Sequence, residues 1–96
     1  MPFRDEKVAS TIKDLASNFI ASRGLGEPGS LVTVTRVLLN DSLSHGEVFV
    51  TMYPVAVEVR TLNNLKRAQG AFRSYIKKHL RIRAVPYLEF MIESNV

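Results

Sequence analysis

Apolar side chains along this chain switch between a helical and an extended spacing three times, which confines the fold to a mixed architecture of helices and one small sheet. Val8, Ile12, Leu15 and Phe19 recur at steps of four, three and four, with Ala16 and Ile20 widening the stripe, so residues 4–22 read as an amphipathic helix. Asp5 and Glu6 sit in its first turn, where the helix dipole favours negative charge, and Gly24 offers a C-terminal stop. From Leu31 to Leu39 the chain is rich in Val and Thr and reads as a strand. Val32 and Val34 alternate with Thr33 and Thr35, until Val37-Leu38-Leu39 breaks the period, as a bulge or a change of cover would. Asn40-Asp41-Ser42 is a turn signal, and His45–Tyr53 reads as a second strand, with Val48, Val50 and Met52 on one face and Glu47, Phe49, Thr51 and Tyr53 on the other. The two strands are expected to form a hairpin.

Pro54 closes that strand, and a helix is predicted over 57–69, with Val59, Leu62, Leu65 and Gln69 on its apolar side and Arg60, Asn63, Asn64 and Arg67 opposite. Gly70 interrupts the pattern, and a bend or break is expected there, because glycine inside a helix costs about 1 kcal/mol relative to alanine. A further helix over 71–80 carries Phe72, Ile76 and Leu80 in one column and Arg73, Lys77 and Arg81 in a parallel column about 100° around the axis. After Pro86, residues 87–93 alternate as a half-buried strand, with Leu88, Phe90 and Ile92 against Tyr87, Glu89, Met91 and Glu93. The predicted order is α-β-β-α-α-β, an α+β class in which three helices cover one face of a three-stranded sheet. At 96 residues, 46% hydrophobic and 23% charged, the chain reads as one domain over 1–96 with an ordinary core.

Several chemistries are disfavoured. With no cysteine there is no disulfide framework, thiol nucleophile or Cys-based metal site. His45 and His79 are isolated and lack further ligands at a metal-binding spacing, so no metal or other cofactor is expected. Gly24-Leu25-Gly26-Glu27-Pro28-Gly29 spells the dinucleotide fingerprint G-x-G-x-x-G, but that motif needs a strand before it and a helix after it, and here the order is reversed. There is no nucleophile elbow and the carboxylates are scattered, so neither an enzyme nor a small-molecule substrate is expected. No apolar run approaches the ~18 residues of a membrane span, and the charged start of the chain is unlike a signal or transit peptide. The expectation is a cytoplasmic monomer that does not engage a membrane.

Charge is the feature that points to a partner. Arg60, Lys66, Arg67, Arg73, Lys77, Lys78, Arg81 and Arg83 fall in a window with no acidic residue, so +8 lies in one quarter of a chain whose net charge is +4. Like charges at helical spacing repel one another and gain little in isolation, whereas a rigid helix with a cation on every turn can meet several phosphates of a folded RNA. Phe49, Tyr53 and Tyr87 could stack bases on the open sheet face, although packing and side-chain cover serve them equally well.

Leu31-Val32-Thr33-Val34-Thr35-Arg36-Val37, Glu47-Val48-Phe49-Val50, Ala68-Gln69-Gly70-Ala71-Phe72-Arg73 and Leu80-Arg81-Ile82-Arg83-Ala84-Val85-Pro86-Tyr87-Leu88-Glu89-Phe90 together resemble the ribosome-binding factor A family. The combination of A-x-G followed by R-x-x-P-x-L-x-F spans nearly the whole chain. The resemblance implies a type II KH-like domain in which an A-x-G kink, here Ala68 and Gly70, replaces the usual glycine-rich RNA loop. It implies a partner, the small ribosomal subunit and its 16S-type ribosomal RNA, and a role in late subunit maturation and growth in the cold. The RNA-binding residues expected on this basis are Arg60, Lys66, Arg67, Ala68, Gly70, Arg73, Lys77, Lys78, Arg81 and Arg83, with Pro86 structural. Asn40-Asp41-Ser42-Leu43 stands where the family turn reads S-P-D-L, Glu93 stands for a common aspartate, and the flexible tail of many members does not follow Val96. The rival readings are a KH-like module for other RNA and a protein-interaction domain using the sheet face or edge.

Overall fold

The computed structural model describes residues 2–82 and 84–93. Helix α1 (Pro2–Arg23) is followed by strands β1 (Leu31–Leu39) and β2 (His45–Tyr53), a 3-10 turn (Val55–Val57), helices α2 (Glu58–Arg67) and α3 (Gln69–His79), and strand β3 (Tyr87–Ile92). The predicted α-β-β-α-kink-α-β order of a type II KH-like α+β domain is therefore present. The sheet order is β1-β2-β3, with β1 antiparallel and β3 parallel to β2. A parallel pair cannot be closed by a tight turn, and α2 and α3 supply the crossover that returns the chain to β2.

Local chemistry sets these boundaries. At the end of α1, Gly24 adopts φ +61, a conformation costly for a residue with a Cβ. The N–H of Leu25 then reaches the carbonyl of Ile20 at 3.2 Å and that of Gly24 reaches Ala21 at 3.3 Å, a Schellman closure with Leu25 folded back onto the core. In β1 the register shifts between Val34 and Arg36, leaving Thr35 as the extra residue of a bulge. The bulge explains the broken alternation, because it lets Val34 and Val37, three apart, both face inward. In the β1–β2 turn Asn40 Oδ1 accepts the N–H groups of Ser44 and His45 at 2.9 and 3.0 Å, the local satisfaction that an asparagine turn provides.

The core lies between the sheet and the helices. Val34, Val37, Val48, Val50, Met52, Leu88 and Phe90 project from the sheet to meet Ile12, Ala16, Phe19, Ile20, Leu65, Phe72 and Ile76. Phe72 is at its centre, with ring centroids 5.1 Å from Phe19 and 5.2 Å from Phe90. Complete burial of such a ring contributes roughly 1.5–3 kcal/mol.

The opposite face of the sheet is held by polar contacts. Arg36 lies 4.2 Å over the Phe49 ring and pairs with Glu93 at 2.8 Å, and Thr35 Oγ1 lies within hydrogen-bond distance of both Glu93 and the Phe49 carbonyl. The Arg36 hydrogen bond holds the Glu93 carboxyl below its usual range, partial desolvation opposes this, and the Thr35 hydroxyl and the Arg36 charge reinforce it. A lowered carboxylate pKa stabilises the fold above the ordinary value, and that contribution is lost as pH falls through the lowered one. Phe49 thus serves as a bed for Arg36, and Tyr87 sits beside the His45 ring, whereas Tyr53 remains 75% exposed.

Candidate nucleic-acid interface

The helix pair departs from the sequence reading in two respects. The break falls at Ala68, not at Gly70. Ala68 adopts φ −92, ψ 2, and its N–H is shared between the carbonyls of Asn64 and Leu65. Its own carbonyl accepts the Phe72 N–H at 2.8 Å and so starts the next helix. Gly70 lies inside the first turn of α3. The inner face of α2 is also rotated from its expected position: Thr61 and Leu65 are buried, Leu62 is half-buried, and Val59 is 74% exposed. The 3-10 turn over Val55–Val57 absorbs the expected start of this helix and sets its phase, which places Thr61 where the apolar pattern placed Val59.

Ala68 packs against the core, so it shapes the junction while its side chain points away from solvent. Gln69 uses its side-chain carbonyl to accept the Phe90 N–H at 3.0 Å, which ties the junction to β3. Gly70 is exposed, and a Cβ built on it would meet no atom within 4 Å. Neither backbone conformation nor packing within the protein therefore requires glycine at this position.

Helical periodicity then sorts the side chains of α3. Phe72 and Ile76 face the core, and Tyr75 leans toward α1, with its ring 5.3 Å from Phe19. Gly70, Arg73, Ser74 and Lys77 lie on the other flank, where with Val85 they line a shallow groove. Arg73 Nη2 donates to the Val85 carbonyl at 2.9 Å, which anchors the guanidinium beside the groove and fixes the connector leading into β3. Arg73, Lys77, Lys78 and Arg81 are exposed, and among the described residues none of them forms an ion pair.

The α2 half of the cationic surface is different. Arg60 Nη1 lies 3.0 Å from Glu27 Oε1, and Lys66 Nζ lies 3.6 Å from Glu89 Oε2. Arg67 Nη2 donates to Asn64 Oδ1 at 2.7 Å, while Asn64 Nδ2 donates to Glu27 Oε2 at 3.3 Å and to the Leu25 carbonyl at 3.4 Å. The window that lacks acids in sequence therefore does not lack them in space. Glu27 arrives from the glycine-rich connector and Glu89 from β3, and two of the eight expected cations already have a carboxylate partner. Arg83 lies outside the described residues, and Pro86 is fully buried, as its structural reading required. Of the expected site, the fold brings Gly70, Arg73 and Lys77 together around one groove, with Lys78 and Arg81 exposed on and just beyond the same helix.

Asn64, Glu27 and Glu89 were missed as contributors. Glu27 is 33 residues from Arg60 in the chain, and only the outward alternation of Glu89 on β3 offered any signal. Among the described residues, no group of three or more His, Asp or Glu side chains could hold a metal ion, and no helix is long and apolar enough to cross a membrane.

Comparison with known proteins agrees with this geometry. The sequence profile of the family described as ribosome-binding factor A matches residues 4–96. A ribosome-binding factor A from Clavibacter michiganensis subsp. michiganensis is 35% identical over 92 residues; the match covers 94% of this chain and 55% of that protein, so the chain spans about half the length of this relative. The crystal structure of ribosome-binding factor A from Thermus thermophilus superposes with a TM-score of 0.80 at 25% identity, covering 92% of this chain and 94% of the other. A homology model of the Thermus thermophilus factor, fitted into the cryo-EM map of a 30S complex of that protein, superposes with a TM-score of 0.67 at 25% identity over 86% of this chain and 88% of the other. Order of elements, sheet topology, the A-x-G junction and the profile match converge: this chain belongs to the ribosome-binding factor A family.

Proposed function

We propose that this protein is a non-catalytic maturation factor that docks on small-subunit ribosomal RNA through the α2–α3 junction. It holds a local RNA conformation during late assembly and departs once mature contacts form. The observation that carries the reading is the pairing of Gly70 with the α3 cations. A glycine that the protein does not need sits on the floor of a groove flanked by Arg73 and Lys77, an arrangement suited to close approach of a phosphate backbone. The 30S complex of the Thermus relative supports small-subunit RNA over other RNA as the target. Within this reading Arg73 supplies a planar fork for phosphate oxygens, Lys77, Lys78 and Arg81 supply mobile charges along the backbone, and Ala68 sets the angle between the helices. The protein acts as a cytoplasmic monomer, by binding and without turnover or cofactor.

The test is co-sedimentation of purified protein with small ribosomal subunits. Arg73→Glu combined with Lys77→Glu leaves folding nearly intact, because both side chains lie off the buried column. Replacing two charge-assisted contacts by repulsion weakens association roughly hundredfold. A double variant that sediments with small subunits as well as the parent does removes these residues from the interface.

A further inference from the structure

The cationic surface is divided: its α3 half is open, whereas its α2 half is occupied by the protein's own carboxylates. Glu27 spans two donors, with Oε1 on Arg60 and Oε2 on Asn64, and Asn64 in turn receives Arg67. A carboxylate bridging a guanidinium and an amide has the acceptor geometry of a phosphate at the same place. The Glu27 side chain is only 20% exposed, while that of its partner Arg60 is 71% exposed, so the arginine stays reachable from solvent with the glutamate seated behind it. Glu89 repeats the arrangement on Lys66 from the β3 side.

We propose that Glu27 and Glu89 are built-in competitors for RNA phosphate, which keep the α2 half of the surface from binding at full strength and so ease release. The inference rests on the RNA-binding reading above. RNA first meets the unpaired α3 cations, and Arg60 and Lys66 join only by exchanging a carboxylate for a phosphate. The connector 24–29, whose glycine pattern suggested a nucleotide loop, carries one of these competitors.

The test measures Kd for in vitro-transcribed small-subunit ribosomal RNA across a salt series. Glu27→Gln and Glu89→Gln each tighten binding about two- to fivefold, the range set by exposed ion pairs. Each also steepens the dependence of log affinity on log salt by about 0.7–0.9, because one more cation becomes available to release counterions. Asp41→Asn removes the same formal charge from the exposed β1–β2 turn and leaves the salt slope unchanged. In an Arg60→Gln background, Glu27→Gln gives no gain. Unchanged slopes, an equal gain from Asp41→Asn, or a gain that survives loss of Arg60 would each overturn the proposal. If Glu27→Gln fails to fold, Glu89→Gln with and without Lys66→Gln decides the same question from a pair outside the connector. Failure of the underlying reading looks different: the Arg73→Glu, Lys77→Glu double variant would then bind this RNA as the parent does.

Discussion

The inner and outer flanks of α3 share eleven residues and answer to different physics. On the inner flank Phe72 and Ile76 are fully buried, and Phe72 is fixed by rings from α1 and β3 at once. On the outer flank Gly70, Arg73 and Lys77 are exposed, and only Arg73 has a hydrogen bond, to the carbonyl of Val85. Contacts from three elements over-determine the first flank, whereas nothing within the protein calls for the composition of the second. Stability and binding can therefore be separated along one helix, by substitutions only one residue apart.

The largest expected effect is on the inner flank. Phe72→Ala removes a ring packed between two others and should cost about 3–5 kcal/mol, a large share of the stability of a small domain. Urea denaturation measures it, and a loss below about 1 kcal/mol would show that the core is not centred where the structure places it. The outer-flank double variant Arg73→Glu, Lys77→Glu should do the reverse, with a denaturation midpoint close to that of the parent. A smaller effect of opposite sign sharpens the comparison at Thr61. Its hydroxyl is fully buried and has no hydrogen-bond partner among the described residues, so Thr61→Val should stabilise by about 1 kcal/mol. A destabilised Thr61→Val would mean that the hydroxyl does find a partner, and that this part of α2 is held by a polar contact.

Much of this was legible in the sequence, for identifiable reasons. The stripe in α1, the alternation in β2 and β3, and the Phe72–Ile76 column are repeats dictated by burial, and burial is what built them. The bulge at Thr35 was visible only as a broken period, because the register shift depends on pairing with Phe49 in β2. The junction was displaced by two residues because Gly70 is the weaker helix former, while Ala68, an excellent one, is bent by its place between two packed helices. The phase of α2 was misread because Val59 is apolar and Thr61 is not, and the preceding 3-10 turn overrode that preference. At the candidate site the cations were legible as a run. Their division into paired and unpaired halves was not, since it depends on Glu27 and Glu89 approaching from elsewhere in the chain.

The central claim is that Gly70 is glycine for a ligand and not for the fold, and Gly70→Ala tests it most directly when stability and RNA affinity are measured on the same preparation. A Cβ there meets nothing in the protein and improves helix propensity, so denaturation should show equal or greater stability, by up to about 1 kcal/mol. Binding to small-subunit ribosomal RNA should fall at least about tenfold, as a methyl group held at the floor of the groove keeps the RNA backbone from close approach. A Gly70→Ala protein that is more stable and binds this RNA as tightly as the parent would contradict the account.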